Sequence, residues 1–141
     1  MQTRERHVDI VVGSERIDGT LVVPAQGLPG VLFARGWGAT QQQYLSRARD
    51  IAALGCVCLT LDLSGHARTQ AQRETVSRER NLRDVLGGYE ILAAHPQVDP
   101  ESIAVVGSSY GGYLAAVLTE TRKVRWLGLR VPALYRDAGW E

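Results

Sequence analysis

The chain has 141 residues, 45% hydrophobic and 22% charged, with a formal net charge of +1. That length supports one domain with its own core, and the near-neutral balance offers nucleic acid or an anionic membrane nothing to hold, so neither is expected as a partner. No apolar run approaches the roughly 20 residues needed to span a bilayer, and Met1 to His7 contain no apolar leader, so a cytoplasmic location is expected.

Along the chain, apolar and polar residues alternate in His7–Val12 and again in Ile17–Val23, with Gly13-Ser14 between them. This predicts two strands joined as a hairpin. Three short, continuous apolar runs follow: Val31-Leu32-Phe33-Ala34, Val57-Cys58-Leu59-Thr60-Leu61 and Ile103-Ala104-Val105-Val106. Runs of this kind suit strands of a parallel sheet buried on both faces. Between the first two, Thr40 and Gln43 make a capping box. Tyr44, Ala48, Ile51 and Ala52 then recur at helical spacing, and Gly55 is placed to stop the helix. Cys56 and Cys58, two apart, share one face of the strand as core residues. A metal would want more ligands, and neighbours this close are poorly placed for a disulfide. A longer helix is predicted from Val76 to Ala94, with Leu82, Val85, Leu86, Tyr89 and Leu92 as its apolar stripe and Pro96 beyond its end. Asp99-Pro100-Glu101 turns into the next strand. A third, largely buried helix covers Tyr110 to Thr121, and Val124–Val131 reads as a last strand. Strands alternating with helices predict an α/β layer fold with right-handed crossovers. Its sites should gather at the carboxyl ends of the strands.

At that edge stands Gly107-Ser108-Ser109-Tyr110-Gly111-Gly112, directly after one apolar strand and directly before the buried helix. Gly-x-Ser-x-Gly between a strand and a helix is the pattern of a nucleophile elbow. The serine sits on a strained turn whose neighbours must be small, and Gly107 and Gly111 supply the room. Ser109 is therefore the candidate catalytic nucleophile, lifted to the first turn of a helix whose free N–H groups favour a developing negative charge. The Tyr110 N–H is one candidate oxyanion donor. Ser108, one residue off this register, is the competing nucleophile.

Two further segments fall on the same edge. Arg35-Gly36-Trp37-Gly38 follows the first apolar run and resembles the His-Gly-Trp-Gly loop of α/β-hydrolases, with Arg35 in the histidine position. Asp62-Leu63-Ser64-Gly65-His66-Ala67 follows the second and resembles their Asp-x-Arg-Gly-His-Gly segment, with Ser64 for the arginine and Ala67 for the glycine. The chain thus resembles the α/β-hydrolase superfamily, in particular its dienelactone-hydrolase-like and prolyl-oligopeptidase-like branches, of which Ser109-Tyr110-Gly111-Gly112 is typical. Leu129 to Tyr135 also resembles their sixth strand and following loop. The resemblance runs over nearly the whole chain and implies a single partial domain, residues 1–141, corresponding to the N-terminal half of the fold. It implies a mostly parallel sheet flanked by helices, with strand order 1-2-4-3-5-6 and the second strand antiparallel to the rest. It also implies that the Trp37 N–H is the second oxyanion donor, that Asp62 fixes its loop, and that no cofactor or metal takes part.

The resemblance breaks after the serine. In this fold the order is serine, acid, histidine, yet no histidine follows Ser109 here and the later acids are only Glu120, Asp137 and Glu141. His7 belongs to the hairpin and His95 to a helix end at the opposite edge, which leaves His66 as either a loop residue or a substitute base. Two functions follow. One is a serine hydrolase acting on ester or small acyl substrates, its acid and histidine missing from this chain. The other is a non-catalytic remnant that binds a small acyl or carboxylate ligand or serves assembly. A base within hydrogen-bond reach of Ser109 would separate them. The last strand, with Trp126, Leu127, Leu129 and Val131 on its faces, is expected as an uncovered edge that pairs with a second copy in a homodimer.

Overall fold

A computed structural model describes residues 3–25, 29–35, 42–64, 77–130 and 132. The elements are β1 (Thr3–Val12), β2 (Glu15–Pro24), β3 (Gly30–Ala34), α1 (Gln42–Ala52), β4 (Val57–Leu61), α2 (Arg78–Ala94), β5 (Ile103–Ser108), α3 (Tyr110–Leu118) and β6 (Trp126–Arg130). The six strands form one sheet in the order β1-β2-β4-β3-β5-β6. β2 is antiparallel to both its neighbours, while β4, β3, β5 and β6 are mutually parallel. This is the expected topology, a mixed sheet with only β2 reversed.

Strand periodicity divides the core in two. Leu21, Leu32, Ala34, Leu59 and Leu61 join Val85, Leu92 and Leu114 on the α2–α3 side. The alternate residues Val22, Val31, Phe33 and Cys58 meet Tyr44, Leu45, Ala48 and Ala52 of α1 on the other. Cys56 packs with Cys58 on this second side, and burial pushes the Cys58 thiol up to about 12, as suits an inert core residue. Gly55, at φ 106°, closes α1 as expected. Thr40, the proposed cap of α1, lies outside the described residues.

Several boundaries differ from the sequence expectation. The hairpin strands are longer, because Thr3↔Pro24 through Val12↔Glu15 pair by backbone, whatever their side chains. Helix α2 begins at Arg78 rather than Val76, since Ser77 takes an extended conformation and its hydroxyl accepts the Arg80 N–H at 3.0 Å. Helix α3 stops at Leu118, three residues early, and β6 covers Trp126–Arg130 rather than Val124–Val131.

The buried face of α2 is also rotated from the predicted stripe. Asn81, Asp84, Val85, Gly88, Tyr89 and Leu92 are buried, whereas Leu82 and Leu86 are only partly so. Two glycines explain the rotation. A Cβ on Gly87 would lie 2.8 Å from the Ile10 Cγ2, and one on Gly88 equally close to the Leu61 Cδ2. Each glycine costs the helix about 1 kcal/mol relative to alanine, and in return the backbone settles directly on the sheet. Among the described residues no helix is long and apolar enough to cross a membrane.

Candidate active site

β3 and β5 are parallel neighbours, with Ala34 opposite Gly107, so the turns leaving them begin side by side. The turn after β5 is a single residue. Ser109 has φ 56° and ψ −121° and is the one non-glycine at positive φ among the described residues. Such a conformation costs roughly 1–3 kcal/mol and persists only where its surroundings enforce it.

The enforcement is visible on both sides. The Ser109 N–H donates to the Arg130 carbonyl of β6 at 3.0 Å, and its carbonyl accepts the Tyr113 N–H at 3.2 Å, opening α3. A Cβ on Gly107 would lie 2.5 Å from the Gly111 carbonyl oxygen, and one on Gly111 would run into the Ala34 and Arg35 carbonyls. Only glycines let α3 start this close to both strands. Ser109 itself is exposed at the carboxyl edge and makes no side-chain capping bond, whereas Ser108 is half-buried.

Tyr110, the first residue of α3, is buried, and its ring stacks on Tyr113 with centroids 6.4 Å apart. Its hydroxyl donates to the Asn81 Oδ1 of α2 at 2.9 Å. Asn81 in turn donates from Nδ2 to the Ser64 carbonyl at 3.0 Å and to the Asp84 carboxylate at 3.2 Å. Asp84 also accepts the Ser64 N–H at 2.7 Å and the Ser64 hydroxyl at 2.8 Å. Burial holds the Asp84 carboxyl above its ordinary range, against the smaller opposing pull of these donors.

The four residues tie the turn after β4, the start of α2 and the elbow together. Of these contributors only Tyr110 was singled out as a site residue from sequence. The missing signal was the phase of Asn81 and Asp84, polar residues falling on the same helical face as Val85 and Leu92. Ser64 ties the turn after β4 to α2 through these bonds. Asp62 is buried, and its N–H donates to the Asp18 carbonyl at 3.0 Å.

Trp37 and His66 lie outside the described residues. Arg35, the last described residue before the Trp37 loop, lays its guanidinium 4.8 Å from the Tyr44 ring centroid. A groove of about 500 Å³ runs along the α1 side of the sheet, lined chiefly by Val31, Phe33, Tyr44, Ile51, Ala104 and Val106 and reaching Arg130, whose carbonyl anchors Ser109. Away from this edge, donor atoms of His7, Asp9 and Asp18 lie within 4.8 Å of one another on the β1–β2 hairpin. His7 Nε2 is hydrogen-bonded to Asp18 Oδ1 at 2.9 Å. The trio is exposed or half-buried and three to four strands from β5 in the sheet order.

The fold has many known counterparts. A dienelactone hydrolase from Anabaena variabilis superposes with a TM-score of 0.78 at 24% identity, over 94% of this chain and 65% of that one. A dienelactone hydrolase-like promiscuous phosphotriesterase from metagenomic libraries gives 0.78 at 21%, over 97% and 63%. A bacterial heroin esterase gives 0.73 at 21%, over 94% and 45%. The chain therefore spans less than two thirds of the length of these proteins, and at such identities the likeness establishes the α/β-hydrolase fold. No curated protein matches the sequence. Residues 41–129, which include α1, the turn after β4, α2 and the elbow, match the family model of the prolyl oligopeptidases. The chain belongs to the prolyl oligopeptidase family, within the α/β-hydrolase superfamily.

Proposed function

We propose that this chain carries the nucleophile of a serine hydrolase acting on esters or small acyl compounds. The observation that supports this most is Ser109 itself: strained, exposed, and held at the carboxyl edge by Gly107, Gly111 and the Arg130 carbonyl. In the reaction so drawn, the Ser109 Oγ attacks the acyl carbon while a base takes its proton, and the N–H groups of Tyr110 and Trp37 hold the oxyanion. Collapse breaks the bond to the leaving group, which departs with the proton from the base and leaves an acyl-serine for water to hydrolyse. The scheme uses no cofactor or metal. The base is His66 or a histidine contributed from beyond this sequence, since none follows Ser109.

Incubation with a fluorophosphonate probe tests the reading. A single adduct on Ser109, abolished by Ser109→Ala, is the expected result. An adduct on Ser108, or none on any serine, overturns it and leaves the non-catalytic remnant that binds an acyl or carboxylate ligand.

The same reading includes a second copy of the chain as partner. Every residue of β6 is exposed, and among the described residues no strand pairs with its outer edge. Antiparallel pairing of two such edges about a two-fold axis would bury both at once. The near-neutral charge supports a small-molecule partner rather than nucleic acid or an anionic membrane.

A further inference from the structure

Asp84 is fully buried on the first turns of α2, and its three hydrogen-bonding neighbours are all donors: the Ser64 N–H, the Ser64 hydroxyl and the Asn81 amide. Asn81, only 1% exposed, is equally constrained. Its Nδ2 faces two acceptors, the Ser64 carbonyl and the Asp84 carboxylate, so its Oδ1 must face Tyr110, whose hydroxyl must donate. The direction of every bond in the chain Asp84–Asn81–Tyr110 is therefore set. Packing of α2 on the sheet does not call for this, because Val85, Tyr89 and Leu92 already supply its apolar contact. Burying four polar groups where leucines would serve carries a desolvation cost, and the network sits beside Ser109, the one non-glycine at positive φ among the described residues.

We propose that Asn81 and Asp84 are positioning residues for the elbow, holding Tyr110 by its hydroxyl so that the Ser109–Tyr110 peptide keeps a fixed orientation. Tyr110 is then gripped at both ends, by α3 through its backbone and by α2 through its ring. The peptide that joins it to Ser109 cannot rock without breaking a buried hydrogen bond. A donor meant to meet a developing oxyanion gains from being fixed beforehand, since it need not reorganise during the reaction. The role rests on the serine hydrolase reading above. It adds that the turn after β4, through Ser64, is part of the same rigid unit.

The test compares Asn81→Ala, Asp84→Ala, Asp84→Asn and Tyr110→Phe with the unaltered chain, at a temperature where circular dichroism shows each one folded. Two quantities are read: the second-order rate of fluorophosphonate labelling at Ser109, and amide hydrogen exchange at Tyr110. Asn81→Ala, Asp84→Ala and Tyr110→Phe should slow labelling by about 10–100-fold, the scale on which small misplacements act, and should speed Tyr110 exchange. Asp84→Asn should recover most of the rate: its oxygen can accept both N–H groups and its Nδ2 can donate to the Ser64 hydroxyl, which can also accept. Labelling rates that match the unaltered chain in all folded variants overturn the proposal. If the unaltered chain does not label at all, the hydrolase reading fails on its own. Exchange then decides the positioning role, and an unchanged Tyr110 amide in Asn81→Ala and Tyr110→Phe refutes it. Should Asp84→Ala fail to fold, Tyr110→Phe, which removes only one hydroxyl, carries the same comparison.

Discussion

On the α2–α3 side of the sheet, Leu21, Leu32, Leu59, Ile103 and Val105 are all essentially inaccessible to solvent. On the α1 side, among the described residues, the cover stops at β3. Val31 and Phe33 are buried there, but Ala104 and Val106 of β5 are only half-buried, and Trp126, opposite Ala104, is exposed on β6. Strands of a parallel sheet are ordinarily covered on both faces. The contrast separates two kinds of interaction. The closed face holds the elbow and its polar supports and is completed by this chain's own residues. The open face presents an apolar groove and an edge with which no strand pairs among the described residues. Substitutions on the first should cost stability, and substitutions on the second should change association.

The largest effect is expected at the seam between α3 and β3. In Gly111→Val the new Cβ would run into the Ala34 carbonyl, which is backbone inside a ladder and cannot swing away. A loss of about 4 kcal/mol or more is expected, read by urea unfolding. A loss below about 1 kcal/mol would mean that the contact is looser than drawn and that the elbow owes its shape to something else.

Next comes the polar network. Asp84→Ala strands the Ser64 N–H and one hydrogen of Asn81 in the core, for an expected loss of about 2–3 kcal/mol. Its pH dependence has a definite sign. Burial raises the folded-state pKa of Asp84 above the ordinary carboxylate range, so the folded protein holds that proton more tightly than the unfolded chain does. The resulting stabilisation is fully present below the unfolded pKa and is lost as pH rises through the folded one. Asp84→Asn cannot lose a proton there. The stability of the unaltered chain relative to Asp84→Asn should therefore fall as pH rises through that window and level off above it. Urea unfolding of both from about pH 3 upward, starting below the unfolded carboxyl pKa, checks this. A relative stability that rises instead would mean that the donors outweigh the burial.

These two regions differed in how far the sequence revealed them. The elbow was legible because its geometry demands a rare residue pattern: Gly107, Ser109 and Gly111 appear in order between an apolar strand and an apolar helix. Strand order was legible through the resemblance, and strand positions through the unbroken runs of β3, β4 and β5. The full length of β1 was hidden because Arg4, Glu5 and Arg6 are all exposed and alternation has nothing to report there, while the ladder to β2 forms regardless. The polar face of α2 was hidden for the opposite reason. Asn81 and Asp84 have no evident role until Ser64 and Tyr110, 17 and 29 residues away from Asn81, are brought beside them. Long-range satisfaction of buried polar groups leaves little trace in local periodicity. A smaller local feature was missed as well, since the helix was expected from Val76: Ser77 is the N-cap of α2, and Ser77→Ala should cost about 1 kcal/mol, measurable as a shift in the same unfolding curves.

The smallest effect on folding and the clearest effect on association belong to the open face. Trp126 and Leu129 lie on opposite faces of β6, opposite Ala104 and Gly107 of β5, and both are more than 40% exposed. Replacing both with lysine, Trp126→Lys with Leu129→Lys, removes apolar surface from the two sides of the edge without opening a cavity. Folding stability should move by no more than about 0.5 kcal/mol per site. If β6 pairs with its counterpart in a second copy, the lysines of the two edges face one another across the axis, and charged edge residues are the usual obstacle to such pairing. Light scattering over a dilution series should then give a dimer for the unaltered chain at high concentration and a monomer for the double variant. Pro132, just beyond β6, donates no hydrogen bond and bounds the length of strand available for pairing. A chain that is monomeric at every concentration before any substitution would remove the second copy from the account. The groove over Ala104 and Val106 would then need another occupant, while the closed face would keep its stability and the elbow its shape.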